Sequence, residues 1–356
     1  MTFLIVTLGS IGDLLPFLAV AQGLRDRGHR VIFASNAGYE QLIKGAGFDF
    51  AAIWDRTVAQ EALDASLQSD PLHAWQTVKR EMFEPATGPT YDFVAHFARR
   101  EKCVVLASWS AFGARLAHEK LGVALCTAYL SPHAMEEDVP PAGGHRIGLF
   151  ADWFCPAPSR ESADVRMTGF AMFEDRLVPA LPPEVEDFLN DGPPPVIFTP
   201  GSFIRQSRDF FRQSLEACVA IGARGLFLTP HRDQIPEHLP PTVRHFSYLA
   251  LQRLAPKSAA LVYHGGIGTC VQAMKAGIPH LVMPMFFDQF DNAARISALG
   301  IGSSVERYTG AAVAAKLGEL LQSQSVAQSC RRVSMLFEGK NAVAETCAIV
   351  ETLDRA

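Results

Sequence analysis

The chain has 356 residues, 48% of them hydrophobic, with Phe 24, Trp 4 and Tyr 6, and a formal net charge of −5. That length suits two domains of ordinary size, and that apolar content excludes intrinsic disorder. The slight acidity gives no electrostatic basis for binding nucleic acid. The seven cysteines, odd in number and never in a C-x-x-C pair, read as reduced buried thiols rather than a disulfide framework or a zinc site.

Residues 3–8 form a short apolar run with no basic flank, interrupted by Gly9, so they read as a first strand rather than a signal peptide. Further strands are predicted at 30–35, 48–53, 103–108 and 123–130, with helices at 15–27, 37–46, 89–101 and 110–121. Gly28, Gly47 and Gly122 close three of these helices ahead of the next strand. After Leu130 the alternation lapses into proline- and glycine-rich connections, and the run Gly192–Pro195 restarts it. Strands then follow near 195–200, 224–229, 243–247, 259–264 and 279–284, with helices at 207–221, 268–276, 289–299, 311–322, 325–337 and 341–354. This is the rhythm of βαβ units and doubly wound parallel sheets. The predicted division is a domain at 1–172, a linker at 173–194, a domain at 195–340 and a last helix at 341–356. No apolar run reaches the ~20 residues that a spanning helix needs. The expected location is cytoplasmic, with peripheral contact at the inner membrane face compatible with the sequence.

Chemistry concentrates in two stretches of the second half. A buried strand ends at His264 and opens into a helix through Gly265, Gly266, Gly268 and Thr269. Glycines at such a turn let a ligand approach the backbone, and the amides of a helix start attract anions. The alternative is a turn whose glycines serve packing, with His264 hydrogen-bonded in the core. The second stretch, after the strand at 279–284, carries Asp288, Gln289, Asp291 and Asn292. A carboxylate and a carboxamide suit sugar hydroxyls, whereas Asp291 and Asn292 suit capping or support of the following helix. A phosphate cradle beside a hydroxyl reader is what a nucleotide-sugar donor requires.

Four motifs in order, Gly9 to Asp13, Gly201 with Ser202, His264 to Thr269, and Asp288 to Asn292, resemble glycosyltransferase family one, in its bacterial rhamnosyltransferase and sterol glucosyltransferase branch. The resemblance covers nearly the whole chain. It implies an α/β chain of GT-B architecture: two facing Rossmann-like doubly wound domains with an interdomain cleft, the last helix crossing back to the first domain. The implied activity is inverting, metal-independent transfer of a hexose, with UDP-glucose or dTDP-rhamnose as donor types, to a hydroxyl of a small apolar or lipid-like acceptor. No bound cofactor is implied beyond the donor itself.

His264, Gly266 and Thr269 match the family's pyrophosphate contacts, Gly265 and Gly268 join them as candidate donor-binding residues, and Gly201 and Ser202 match the loop that closes over the same phosphates. Asp288 and Gln289 contact the sugar. The first-loop position that is histidine in many members is Asp13 here, and Gly12 beside it is a candidate donor contact. The Asp13 carboxylate is the candidate general base, and it also qualifies as a helix N-cap. Tyr248 to Gln252 matches the nucleobase segment, but Ala250 and Leu251 replace the usual proline and glutamine, leaving backbone groups around Leu249 and Leu251 to read the base. Trp109 and His133, at strand ends in the first half, are candidate acceptor contacts; core packing suits Trp109 equally, and His118 reads as a satisfied helical histidine. The stretch 132–146 is short for this branch, which implies a more open acceptor pocket, a partner protein that completes it, or a bulky acceptor. Two alternatives stay open: a nucleotide-sugar epimerase of the same fold, and an inactive helper subunit.

Overall fold

The computed structural model describes residues 1–55, 76–138, 143–155, 165–173, 180–201, 207–285 and 287–353. The chain divides into two compact units, one of Met1–Glu174 with Lys340–Ala356 and one of Asp175–Gly339.

Unit 1 runs β1 (Thr2–Val6), α1 (Ile11–Asp26), β2 (Arg30–Asn36), α2 (Glu40–Gly45), β3 (Asp49–Trp54), α3 (Thr87–Ala98), β4 (Cys103–Ser108), α4 (Phe112–Leu121), β5 (Ala124–Tyr129), α5 (Pro132–Glu136), β6 (His145–Gly148) and β7 (Arg166–Met167). The strands form one sheet in the order β3-β2-β1-β4-β5-β6-β7, and every pair is parallel. Helices over both faces explain why β1 and β4 are buried at every residue and read as unbroken apolar runs. From β1 the chain passes to β2 on one side and later to β4 on the other, so the gap between the carboxyl ends of β1 and β4 is a topological switch point.

Unit 2 contains α6 (Pro183–Asn190), β8 (Val196–Thr199), α7 (Arg208–Ile221), β9 (Gly225–Leu228), β10 (Val243–Phe246), α8 (Leu251–Leu254), β11 (Ala260–Tyr263), α9 (Ile267–Ala276), β12 (His280–Val282), α10 (Gln289–Ala298), β13 (Gly302–Ser304), α11 (Gly310–Gln322) and α12 (Gln324–Met335). Its parallel sheet has the order β10-β9-β8-β11-β12-β13, which puts its switch point between β8 and β11. Phe198, Phe211 and Phe227 are fully buried at the core, their rings 5.2–5.3 Å apart. Such tilted and edge-on aromatic contacts add to the area they bury.

The stretch expected as a linker contains α6. Proline at the helix start and Glu184 and Glu186 in the first turn favour its formation. Its Phe188 ring lies 4.0 Å under the Arg224 guanidinium, and Lys257 pairs with Glu186 at 2.6 Å. The last helix, α13 (Ala342–Thr352), packs on α1 of unit 1. A side chain at Gly23 would lie 2.6 Å from Val343 and 2.9 Å from Cys347, Arg27 and His29 each reach Glu351 at 2.8 Å, and buried Thr168 and Thr346 share a hydrogen bond of 2.8 Å.

Candidate active site

In unit 2, His264 follows β11 at the switch point, and Gly201 follows the neighbouring β8. The two glycines Gly201 and Gly266 enclose the imidazole. Gly201 has φ +91, and a Cβ there would sit 2.5 Å from His264 Cε1; a Cβ on Gly266 would collide with His264 Nε2. Burial lowers the His264 pKa to about 4, so at neutral pH the ring is an uncharged donor–acceptor. Its Nδ1 is buried and has no hydrogen-bond partner among the described residues. Gly266 is the N-cap of α9 and brings no side chain to that end; the Thr269 and Cys270 amides donate back to the Gly266 carbonyl at 3.1 and 3.0 Å. No side chain caps this end, so the first turn of α9, with the Ile267 and Gly268 amides ahead of those two, presents an uncapped positive end. Ser202 lies outside the described residues.

The loop after β12 approaches the same turn. Gly265 has φ +99, and a Cβ on it would lie 2.8 Å from Val282 Cγ1 and 3.1 Å from the Gln289 carbonyl oxygen. Gln289 is 4% exposed, and its Oε1 accepts from the Met285 amide at 2.8 Å. Asp288 is the N-cap residue of α10 and half-buried. Asn292 is fully buried; its Nδ2 donates to the Gly265 carbonyl at 2.9 Å and to Asp288 Oδ2 at 3.0 Å. Asp291 pairs with Arg295 at 2.7 Å within the helix. Phe287 has φ +53, the one non-glycine positive φ among the described residues, and such strain persists where surroundings over-determine it. The Tyr308 hydroxyl donates to the Pro284 carbonyl and pins the same loop. In the nucleobase segment Leu249 is buried, Leu251 opens α8, and Tyr248 is 73% exposed.

In unit 1, α1 begins at Ile11, four residues ahead of the sequence expectation, so Asp13 is its third residue and Ser10 its N-cap. The carboxylate closes a capping box: Asp13 Oδ2 accepts from the Ser10 amide at 2.7 Å and from Ser10 Oγ at 2.8 Å. Gly9, at φ +123, makes room, since a Cβ there would lie 2.5 Å from Asp13 Oδ2. Burial raises the Asp13 pKa above the ordinary 3.8, while the hydrogen bonds from Ser10 pull the other way. Gly12 lies beside it in the same first turn.

Trp109 follows β4, across the unit 1 switch point from the β1 loop, half-buried and edge-on to Phe83 at 6.1 Å. His133 sits half-buried in α5 at the end of β5. His118 Nδ1 bonds the Val123 carbonyl at 2.8 Å, a local role. One constellation escaped the sequence reading. Asp138 Oδ2 accepts from the Tyr129 hydroxyl at 2.7 Å and pairs with Arg115 at 2.6 Å, and Arg115 also donates to the Trp109 carbonyl at 2.5 Å. Its partners are 23 residues apart in sequence, and neither belongs to a recognisable motif. Among the described residues no group of three or more His, Cys, Asp or Glu side chains is placed to hold a metal ion, and no helix is long and apolar enough to cross a membrane.

Residues 3–137 match the family described as glycosyltransferase family 28 N-terminal domain, and residues 224–347 match the erythromycin biosynthesis protein CIII-like C-terminal domain. The chain is 26% identical to O-mycaminosyltylonolide 6-deoxyallosyltransferase of Streptomyces fradiae, over 99% of this chain and 97% of that one. It is 27% identical to L-demethylnoviosyl transferase of Streptomyces niveus, over 87% and 86%. The fold superposes on the glycotransferase of kitacinnamycin with TM-score 0.79 at 17% identity, covering 99% and 98% of the two chains. The chain belongs to the GT-B glycosyltransferases of family one. It is a sugar-transferring enzyme, and its family takes a nucleotide-sugar donor and a small-molecule acceptor.

Proposed function

We propose that unit 2 holds a UDP- or dTDP-linked hexose or deoxyhexose and that Asp13 of unit 1 activates the acceptor hydroxyl for an inverting, metal-independent transfer. The carrying observation is the uncapped turn of α9, with a neutral His264 held between two glycines that admit no side chain. Aligned amides there offset the charge that develops on the diphosphate as it departs, which is where fixed dipoles help most. Asp288, with Gln289 buried behind it, offers a carboxylate to sugar hydroxyls from the adjoining loop.

The reaction balances without a further reagent. The acceptor oxygen forms a bond to the anomeric carbon while the bond from that carbon to the phosphate oxygen breaks. The acceptor proton passes to the Asp13 carboxylate, and the electron pair leaves with the nucleoside diphosphate. A carboxyl group raised above 3.8 by burial is a stronger base than an exposed aspartate. The acceptor is a hydroxylated, largely apolar small molecule bound by unit 1 near Trp109 and His133. The relatives named for moving deoxyallosyl and demethylnoviosyl groups support a deoxyhexose donor.

The test is transfer from α-linked UDP- and dTDP-hexoses to a panel of apolar alcohols, with the product linkage read by NMR. A β-linked product is expected, and an α-linked one overturns the inverting mechanism. Asp13→Asn lowers kcat by about 10²–10⁴-fold with the donor Kd unchanged; a variant with normal kcat removes Asp13 as the base.

A further inference from the structure

We propose that Asn292 is a positioning residue that couples recognition of the sugar to recognition of the diphosphate; this rests on the donor site proposed above for unit 2. The warrant is its placement. The side chain is fully buried at the first turn of α10 and is not placed to touch a ligand itself. One amide nitrogen serves two acceptors on two different segments: the Gly265 carbonyl in the turn at 2.9 Å and Asp288 Oδ2 in the sugar loop at 3.0 Å. A planar carboxamide has two N–H bonds in fixed directions, so the two acceptors cannot move independently without losing one of them.

A second, independent contact joins the same two segments. The Gly265 Cα packs so closely against Gln289 that a Cβ would sit 3.1 Å from its carbonyl oxygen and 3.2 Å from its Cβ. The Asn292 amide also returns to the Asp288 carbonyl at 2.8 Å, which fixes the carboxylate one helical turn below the carboxamide. A sugar hydroxyl drawing on Asp288 therefore pulls on the peptide that aims the turn, and a diphosphate seated at the turn presets the carboxylate. Of the polar side chains in this loop, Asp288 alone combines partial exposure with this link, which makes it the group through which the sugar is sensed.

The test is a double-mutant cycle on the whole chain, with Kd measured calorimetrically for UDP, UDP-glucose, dTDP and dTDP-glucose. Asp288→Ala is expected to weaken sugar-nucleotide binding about fivefold in the wild type and to have no further effect in Asn292→Ala. The same cycle run with the nucleoside diphosphate alone is expected to show a smaller loss for Asp288→Ala, limited to the part that passes through the turn, and that loss also vanishes in Asn292→Ala. Additive losses in the sugar-nucleotide cycle overturn the coupling while leaving the donor reading intact. Failure of the wild type to bind any of the four probes overturns the donor reading instead. If Asn292→Ala does not fold, amide hydrogen exchange in Asp288→Ala decides. Faster exchange across 264–269 without ligand supports the link, and unchanged exchange overturns it.

Discussion

Gly201→Ala is a small substitution with a large expected consequence. Position 201 has φ +91, a conformation that costs an L residue about 1–2 kcal/mol. The new methyl would also lie 2.5 Å from His264 Cε1, 2.8 Å from Nε2 and 2.9 Å from Nδ1. The ring cannot retreat toward Gly266, where a Cβ would already collide with Nε2. Overpacking of this kind costs about 1–3 kcal/mol, so unit 2 loses about 2–5 kcal/mol in total. Urea unfolding followed by tryptophan-independent circular dichroism measures the loss, and calorimetry with UDP and dTDP measures the displaced imidazole as weakened diphosphate binding. A variant with wild-type stability and wild-type nucleotide affinity would refute the description of His264 as a ring clamped between two glycines.

Acid should destabilise unit 2 through its buried histidines. His264 and His280 are held near pKa 4 and 3 against an ordinary 6.5, so the unfolded chain binds more protons below pH 6.5 and stability falls as pH drops toward 4. His264→Gln should flatten part of that slope in urea midpoints, with His280 supplying the rest. Asp13 has the opposite sign: its folded pKa is raised, so the stability it contributes is present in acid and lost as pH rises through the folded value. Asp13→Asn should accordingly stabilise unit 1 at pH 7 relative to its effect at pH 3.5. Asp138→Asn removes the carboxylate that neutralises the Arg115 guanidinium, whose side chain is 12% exposed beside a carboxylate that is 6% exposed, and should cost about 3–5 kcal/mol in denaturant unfolding. Excess EDTA should leave transfer unchanged; a loss restored by magnesium would contradict the metal-independent proposal.

The sheets were legible because burial on both faces writes itself into sequence. The runs at Thr2–Val6, Cys103–Ser108 and Ala260–Tyr263 are apolar almost without interruption. Shorter or polar strands were not. His145–Gly148 and Arg166–Met167 extend the unit 1 sheet through regions that read as irregular, and Gly302–Ser304 has no hydrophobic pattern at all. Their strand character comes from pairing with a neighbour already in place, which local composition does not encode. The start of α1 lies earlier than the sequence suggests because Ser10, Gly12 and Asp13 resemble loop residues, whereas Ser10 and Asp13 form a capping box on the first turn. The turn at His264 was visible from its glycines. The reason for them was not, because the ring that fills the space at Gly201 comes from a strand more than sixty positions away. The Asn292 bridge was hidden for the same reason: the sequence offered it as helix support, and only its two acceptors reveal what it joins.

Calorimetric titration of UDP- and dTDP-hexoses into the wild type and Gly266→Val tests the diphosphate turn most directly. The account predicts saturable one-to-one binding of at least one donor to the wild type, and its loss in the variant, whose side chain enters the space of His264. Equal affinity in the two proteins, or no binding of any donor to the wild type, would contradict it.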